Sequence, residues 1–241
     1  MKICYLNHDL RNNTGAGKFC WSFIQAVKAI LPNCEIKILT SEDVLAGGSI
    51  FLFFNFFKIR YIFKKYDIIH ALDGWPYGVI AALFTLGLKK KMVITAIGTG
   101  AVQPLYKIFK KIIMIWAYRR ADIVVAVSHN TKREILKIIP NLSIEVINHG
   151  VDFDKFQIPC SNITEIEKIK PYLISVGSLK KRKGFEYSIR AFAQIIKNNP
   201  SLKYVIVGDG PEKENLILLV ADLRLQDNII FLKNVDEKHL V

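Results

Sequence analysis

Glycine and lysine residues recur in this sequence in turn patterns that proteins use to bind phosphate groups. The first pattern, N-N-T-G-A-G-K-F at residues 12–19, approximates the nucleotide-binding P-loop. That loop requires a first glycine, where this chain has Asn12, and a hydroxyl ligand for magnesium, where it has Phe19. Because these two required residues are absent, the pattern does not predict an ATPase or a GTPase.

Gly15 and Gly17 still lie where a turn could bind an anion. They follow a short apolar run and open a segment of helical period. Glycine lets the backbone approach a ligand closely, and the N–H groups at a helix start point at negative charge. The alternative is a tight turn between a strand and a helix that binds nothing.

Two further glycine turns occur in the last third of the chain. I-S-V-G-S-L-K-K-R-K-G-F-E spans residues 174–186, and V-I-V-G-D-G-P-E spans residues 205–212. In the first of them Lys183 precedes Gly184 at a predicted helix start, where the ammonium group and the helix dipole act together on an anion. The alternative is a solvated basic turn.

These turns must be held by regular elements, and the periodicity predicts alternating strands and helices. Runs rich in β-branched residues predict strands at residues 2–6, 35–39, 67–70, 92–96, 122–127, 144–147, 172–176, 204–207 and 228–232. Segments of helical period lie between them, at residues 17–31, 76–88, 104–119, 131–139, 184–197 and 211–223. This alternation is typical of doubly wound parallel sheets, so the predicted fold class is α/β.

The alternation stops at residues 148–170, which contain Pro159 and a mixed polar run and therefore predict a linker. We expect one Rossmann-like domain at residues 1–157, a linker at 158–170 and a second Rossmann-like domain at 171–241. Open α/β sheets bind ligands at the carboxyl ends of their strands, so the expected ligand site is a cleft between the two domains.

The composition of the chain limits the partners and the cellular compartment to be expected. The net charge is +13, and residues 1–157 carry 21 Lys and Arg against 11 Asp and Glu. Such a surface faces nucleic acid, a nucleotide or anionic lipid, or is simply solvated. No nucleic-acid-binding module is recognisable, so nucleic acid is not an expected partner. The four scattered cysteines predict reduced thiols in a cytoplasmic protein, and the start lacks the apolar run of a signal peptide.

Four motifs in order resemble one enzyme family. The two glycine turns, together with A-D-I-V-V-A-V-S at residues 121–128 and I-N-H-G-V-D-F-D-K-F at residues 147–156, resemble the family 4 retaining glycosyltransferases, which have the two-domain GT-B fold. The resemblance covers essentially the whole chain. It implies that the first domain lies on the acceptor side and that the second binds a nucleotide-sugar. The implied activity is that of a retaining hexosyltransferase, with no cofactor and no metal.

The resemblance also implies the donor-binding residues. Lys183 matches the lysine that binds the donor diphosphate in the family, and Ser178 stands where the family has an arginine. Serine brings no charge, so the neighbouring Lys180, Lys181 or Arg182 would have to compensate. The full set of donor-binding candidates is Gly15, Gly17, Gly177, Ser178, Lys183, Gly184, Gly208 and Gly210.

On the acceptor side, a histidine commonly ends the fourth strand of this family, before Gly-Thr. This chain has Ile97 at that position, which can neither hydrogen-bond a sugar hydroxyl nor carry a proton, so no catalytic residue is assigned. The acceptor-side candidates are His70, Asp73, Gly98 and Thr99. For His70 the alternative is a histidine packed at the end of a strand.

The sequence reaches Val241 before the glutamate pair that contacts the donor in this family, so the second domain is expected to be incomplete. The chain could be a fragment or a natural truncation that has lost catalysis, and the sequence leaves both readings open.

Two functions are compatible with the sequence. One is transfer of a sugar from a nucleotide-sugar to a lipid-linked or saccharide acceptor in cell-surface polysaccharide biosynthesis. The other is an inactive membrane-surface binding protein or partner subunit derived from the same fold.

Two segments interleave aromatic or aliphatic residues with basic ones. Residues 50–66 contain seven aromatic residues before Lys64, and residues 104–120 place Lys107, Lys110 and Lys111 on one predicted helical face. This pattern suits a helix lying on anionic lipid, so we expect a cytoplasmic protein that is peripheral on the inner face of the cell membrane. The alternative is that residues 51–57 are core packing.

Overall fold

A computed structural model describes residues 1–11, 15–45, 48–151, 153, 171–233 and 235 of the chain. The chain divides into two compact units, Met1–Gly150 and Val151–Val241. The predicted linker at 158–170 and the predicted boundary after residue 157 lie outside the described residues.

The first unit contains a six-stranded sheet in the order β2-β1-β3-β4-β5-β6, in which every neighbouring pair is parallel. Its strands are β1 (Lys2–Leu6), β2 (Glu35–Leu39), β3 (Ile68–Ala71), β4 (Lys91–Ala96), β5 (Ile123–Ala126) and β6 (Glu145–Val146). The β-branched runs of the sequence therefore correspond to real strands. The strand order reverses between β1 and β3, which is where sheets of this kind bind ligands.

The helices of the first unit follow the predicted alternation, with additions. They are α1 (Gly15–Ile30), α2 (Ser41–Leu45), α3 (Gly48–Lys64), α4 (Val79–Phe84), α5 (Gly98–Val102), α6 (Ile108–Arg120) and α7 (His129–Leu136). An irregular helical turn, Gly74–Gly78, precedes α4, and a 3₁₀ turn, Gln103–Tyr106, precedes α6. The helix expected at residues 104–119 therefore begins later, at Ile108.

Both faces of the first sheet are covered, as parallel sheets require. Helix α1 covers one face, where Tyr5, Cys20 and Ile24 are buried. The other face buries a larger cluster that includes Phe63 of α3, Phe84 of α4 and Met114, Ala117 and Tyr118 of α6. Across the described residues, no helix combines the length and the apolarity needed to cross a bilayer.

The second unit contains a three-stranded parallel sheet in the order β7-β8-β9. Its elements are β7 (Tyr172–Val176), α8 (Phe185–Ile195), β8 (Lys203–Val207), α9 (Lys213–Asp222) and β9 (Ile229–Leu232). Both crossovers advance in the same direction, so right-handed connections place α8 and α9 on one face. That face buries Phe192, Tyr204 and Ile206, whereas Ile174 and Val176 of β7 are exposed.

Candidate functional site

Asp73 is the central polar residue at the carboxyl edge of the first sheet. It follows β3 and caps the Gly74–Gly78 turn, accepting a hydrogen bond of 2.6 Å from the backbone N–H of Gly74. A Cβ atom added to Gly100 would overlap the carboxyl oxygens of Asp73, so the backbone of α5 lies directly on this carboxyl group. The structure therefore brings Asp73 together with the glycine-rich turn that follows β4.

The protonation of Asp73 is unusual for an aspartate. Burial raises the pKa of its carboxyl group to about 7, although the backbone N–H groups of Gly74 and Trp75 act in the opposite direction. At neutral pH both the protonated and the charged form of this carboxyl group are therefore populated. A group in that state can accept a proton from a ligand or donate one to it.

The Gly98–Val102 turn forms α5 and is held from two sides. The hydroxyl group of Tyr118 on α6 donates a hydrogen bond of 2.9 Å to the carbonyl oxygen of Ala101. Gly98 has φ +59°, a conformation that glycine adopts readily, and Gly98 and Thr99 are both exposed. Ile97, in contrast, packs against the apolar cluster on the α1 face. Its side chain is half-buried there.

His70 lies within β3, on the face that α1 covers. Its Nε2 atom is 2.7 Å from the hydroxyl oxygen of Thr95, and its ring packs against Tyr5 and Phe23. Burial lowers the pKa of His70 to about 4, so the ring is neutral at pH 7. These contacts favour the alternative of a packed histidine over a contact with the acceptor.

Three polar residues on this side of the sheet, His8, Asp9 and Tyr77, were missed by sequence reasoning. The Nδ1 atom of His8 is 3.1 Å from the hydroxyl oxygen of Tyr77, and the carboxylate of Asp9 accepts hydrogen bonds from the backbone and side chain of Arg11. The signal that could have found His8 and Asp9 is their position directly after β1, at the point where the strand order reverses.

The two glycines of the first loop differ in surroundings. A Cβ atom added to Gly17 would overlap the carboxyl group of Asp9 and the backbone of Arg11, so Gly17 is needed for packing of the β1–α1 connection. A Cβ atom added to Gly15 would meet no atom of the described residues within 4 Å. Of the two, Gly15 is the one that leaves backbone accessible at the start of α1.

The glycine turns of the second unit are bonded to each other. The N–H of Gly177 donates to the carbonyl of Val207, and the N–H of Leu179 donates to the carbonyl of Asp209, each at 2.9 Å. A Cβ atom on Gly208 would overlap the carbonyl of Gly177, whereas one on Gly177 would meet only the ring of Phe185, at 3.8 Å. The neighbouring turn therefore requires glycine at position 208, whereas position 177 has room for a Cβ atom.

Gly210 resembles Gly208 in this respect, because an added Cβ atom would overlap the backbone of Leu179.

The basic stretch beside these turns forms a 3₁₀ turn, Lys181–Lys183, that ends at Gly184 with φ +72° and leads into α8. Lys183 is exposed, and Ser178 is half-buried. Lys180 and Lys181 line a small pocket whose other residues are Gly184, Phe185, Glu186, Tyr187, Glu212 and Leu216. The predicted donor residues of this unit therefore lie at one edge of its sheet.

Family models match both units. Residues 37–155 match the family described as Glycosyltransferase Family 4, and residues 160–241 match the family described as Glycosyl transferases group 1. The order of the two matches along the chain is the order in which the sequence motifs occur.

Curated proteins are similar to this chain over most of its length. The chain is 29% identical over 188 residues to the N-acetyl-alpha-D-glucosaminyl L-malate synthase of Bacillus anthracis, covering 72% of this chain and 47% of the relative. It is 27% identical over 220 residues to the N-acetylgalactosamine-N,N'-diacetylbacillosaminyl-diphospho-undecaprenol 4-alpha-N-acetylgalactosaminyltransferase of Campylobacter jejuni, covering 84% of this chain and 57% of the relative. The chain thus spans about half the length of these relatives.

A solved structure of the same fold is that of Anabaena Alr3699/HepE in complex with UDP and glucose. It has a TM-score of 0.76 and 19% identity to this chain, and the match covers 100% of this chain and 71% of that one. At this identity the likeness shows the fold, and it confirms the predicted GT-B class of Rossmann-like α/β units. The motifs, both family models and the fold agree, and the chain belongs to the family 4 glycosyltransferases.

Proposed function

We propose that this chain takes part in transfer of a sugar from a nucleotide-sugar to a lipid-linked or saccharide acceptor, with retention of configuration, in cell-surface polysaccharide biosynthesis. The observation that carries the proposal is the pair of interlocked glycine turns beside the Lys181–Lys183 turn in the second unit. Accessible backbone, a helix start and several cations are what a diphosphate requires.

Named relatives support the choice of substrates. The Campylobacter relative acts, by its name, on an undecaprenol diphosphate-linked saccharide, and the Escherichia coli relative WclY is an O-antigen biosynthesis glycosyltransferase. The Anabaena protein of the same fold was solved with UDP-glucose. We therefore expect a nucleoside diphosphate sugar as donor and a lipid-linked saccharide as acceptor.

In the proposed donor site, residues of the second unit stabilise the leaving diphosphate. The ammonium group of Lys183 and the N-terminus of α8 would stabilise the negative charge that develops on the diphosphate as the bond between the sugar and the diphosphate breaks. Gly177 and Ser178 offer backbone N–H and hydroxyl groups at the end of β7. Gly15, with its open backbone, remains a proposed donor contact in the first unit.

In the proposed acceptor site, Asp73 and the exposed Thr99 would hydrogen-bond the acceptor saccharide, with Gly98 leaving room for it. Asp73 is suited to this role because its carboxyl group lies against the turn that carries Thr99 and titrates near neutral pH. Ile97 supplies no proton, so we assign no proton transfer to that position.

Calorimetric titration of the full chain with UDP, GDP and UDP-glucose tests the donor site. Replacing Lys183 by Ala removes a charge-assisted contact, and we expect the dissociation constant of the preferred nucleotide to rise about tenfold or more. Lys197→Ala, which changes an exposed lysine of the same unit, is the matched control and should leave the constant unchanged. Absence of binding by every nucleotide, or equal effects of the two variants, would refute the proposal.

A second candidate function is that of an inactive binding protein or partner subunit. Ile97 favours it, because a half-buried apolar side chain stands at the position that carries histidine in the family. The two functions differ in turnover. Release of nucleoside diphosphate from a bound donor in the presence of a lipid-linked acceptor supports the enzyme, whereas nucleotide binding without release supports the binding protein.

A further inference from the structure

His8 lies at the carboxyl edge of the first sheet, as Asp73 does. Strands β1 and β3 are neighbours, and their last paired residues are Leu6 and Ala71. His8 and Asp73 each follow two residues later, on the two strands between which the strand order reverses. Sheets of this kind bind ligands at that point. The His8 side chain is 64% exposed, so its ring is accessible to a ligand.

The backbone around His8 continues the pairing of β1 with β2. The N–H of Asn7 donates a hydrogen bond of 3.0 Å to the carbonyl of Leu39, and the N–H of Ser41 donates one of 3.1 Å to the carbonyl of His8. Groups carried by strands are held more precisely than groups carried by loops. The position of His8 is therefore set by the sheet.

A hydrogen bond with Tyr77 orients the ring of His8. The Nδ1 atom is 3.1 Å from the hydroxyl oxygen of Tyr77, which is buried in the turn that Asp73 caps. Burial raises the pKa of Tyr77 to about 12, whereas its hydrogen bond with Ser41 acts in the opposite direction, as expected when Ser41 donates to the phenol oxygen. Tyr77 therefore keeps its proton at neutral pH, and its hydroxyl group donates to Nδ1.

This bond determines which nitrogen of His8 carries the proton. A neutral imidazole that accepts a hydrogen bond at Nδ1 is protonated at Nε2. The Nε2 atom is 4.0 Å from the carboxylate of Asp9, which is beyond hydrogen-bond distance. Within the part of the chain that the structure describes, Nε2 has no hydrogen-bond partner. His8 therefore presents a free N–H donor to solvent.

The charge around His8 decides between two kinds of oxygen ligand, a phosphate and a neutral hydroxyl group. The Asp9 carboxylate is close to Nε2, and the charges of Asp73 and Asp9 both act on Tyr77. These carboxyl groups repel a diphosphate, and the guanidinium group of Arg11 is paired with Asp9 at 3.0 Å. A sugar hydroxyl oxygen accepts a hydrogen bond without bringing charge. The surroundings of His8 therefore favour a saccharide.

We propose that His8 contacts the substrate, with its Nε2–H donating a hydrogen bond to a hydroxyl oxygen of the acceptor saccharide. Tyr77 is the positioning residue that orients the ring and fixes its tautomer. The assignment of the saccharide as the acceptor rests on the proposed function. Asp73 accepts hydrogen bonds when it is charged and His8 donates one, so the two neighbouring strand ends offer complementary groups to a saccharide.

Nitrogen-15 NMR of the full chain labelled in histidine tests the positioning role of Tyr77. The His8 signals are identified by their absence from His8→Ala. At about pH 8, where an imidazole is ordinarily neutral, they should show a protonated Nε2 and a hydrogen-bonded Nδ1. Tyr77→Phe should move the Nδ1 signal to that of an unbonded ring nitrogen. Tyr106→Phe removes an exposed hydroxyl group of the same unit and should leave the signal unchanged.

Titration with neutral saccharides tests the contact itself. The probes are methyl α-D-glucoside and methyl N-acetyl-β-D-glucosaminide, with UDP as the anionic comparison. At least one glycoside should shift the Nε2 signal of His8, and UDP should not. His8→Ala should raise the dissociation constant of that glycoside, followed at the backbone amide of Gly74, about threefold to tenfold, as expected for loss of one hydrogen bond. Tyr77→Phe should raise it less, because the donor remains but is correctly oriented for only part of the time.

The matched control is His129→Ala, which replaces an exposed histidine at the start of α7 and should bind the glycoside like the wild-type chain. Because His8 is exposed, the urea midpoint of His8→Ala should stay unchanged, so the test does not depend on the folding of Tyr77→Phe.

Four results would each overturn the proposal: a protonated Nδ1 in the wild-type chain, no response of His8 to either glycoside, a response to UDP alone, or equal affinities of His8→Ala and the wild-type chain. Calorimetric titration with UDP tests the donor site separately. A response of His8 to a glycoside therefore supports the contact even where no nucleotide binds.

Discussion

The hydroxyl group of Tyr118 donates a hydrogen bond of 2.9 Å to the backbone carbonyl of Ala101. Tyr118 belongs to α6 and Ala101 to the Gly98–Val102 turn, and both residues are buried. The bond therefore fixes a glycine-containing turn, which has little helical preference of its own, to helix α6.

Replacing Tyr118 by Phe should lower the free energy of unfolding of the first unit by about 1 to 2 kcal/mol, because a buried carbonyl group loses its partner. All three tryptophans, Trp21, Trp75 and Trp116, lie in the first unit, so tryptophan fluorescence during urea denaturation reports its unfolding.

The control for that change is Tyr106→Phe. Tyr106 is exposed and donates a hydrogen bond of 3.1 Å to Glu134, so its loss should alter the free energy of unfolding by less than about 0.5 kcal/mol. If both variants behave like the wild-type chain, the bond from Tyr118 does not hold the turn.

Asp73 should make the stability of the first unit fall as the pH rises. Burial raises the pKa of its carboxyl group from an ordinary value of 3.8 to about 7, so the folded state binds the proton more tightly than the unfolded state. Its contribution is complete below the ordinary pKa and is lost as the pH rises through about 7. Relative to Asp73→Asn, the wild-type chain should lose at most about 4 kcal/mol over that range. Urea midpoints of both chains across the range measure the difference.

Asp122→Asn provides the contrast. Burial alone would raise the pKa of Asp122, but hydrogen bonds from Lys91 and from the N–H of Met92 outweigh it and leave the pKa lowered. Its contribution is present above the ordinary pKa and disappears as the pH falls, which is the opposite slope. Slopes of the same sign for the two variants would contradict the environment assigned to Asp73.

The sequence was sufficient for the strands of both sheets, because runs of β-branched residues bounded by turn residues have few other structures open to them. The short helix α5 was not predicted. Its sequence, G-T-G-A-V, has two glycines in five residues, and the contacts that hold it come from Asp73 and Tyr118, which lie elsewhere in the chain. Local pattern carries no signal for such contacts.

The sequence indicated the segments that carry the candidate residues, but it indicated less about what surrounds each residue. Gly15 and Gly17 look alike in the sequence, yet only Gly17 is packed against the loop of Asp9 and Arg11. His70 was placed at the end of its strand, but β3 extends to Ala71, and the register of the sheet turns the ring toward α1. Roles of this kind depend on packing between segments that are distant in sequence.

The glycines of the second unit should separate a structural role from a binding role. Gly208→Ala places a Cβ atom on the carbonyl of Gly177, so we expect it to destabilise the second unit by about 2 to 3 kcal/mol. Gly177→Ala has room for its Cβ atom and should cost less than about 1 kcal/mol, while weakening nucleotide binding if the proposed donor site is correct.

Hydrogen exchange of the backbone amides of β8, the central strand of the second sheet, measures the effect of each variant on stability. Faster exchange is expected in the Gly208→Ala chain and nearly unchanged exchange in the Gly177→Ala chain. Equal protection in the two variants would mean that the turns are not bonded to each other as described.

Arg120 should contribute more to stability than its neighbour Arg119. The Nε and Nη2 atoms of Arg120 donate hydrogen bonds of 3.0 and 3.1 Å to the carbonyl groups of Ala82 and Thr85, at the end of α4. Arg120→Ala leaves both carbonyls without this partner and should lower the free energy of unfolding by about 1 to 3 kcal/mol. Arg120→Lys should recover only part of this loss, since an ammonium group lacks the planar set of donors.

The control is Arg119→Ala, which changes an exposed residue of the same helix and should stay within about 0.5 kcal/mol of the wild-type chain. Tryptophan fluorescence in urea decides the order, and equal midpoints for the two alanine variants would show that Arg120 does not tie α6 to α4.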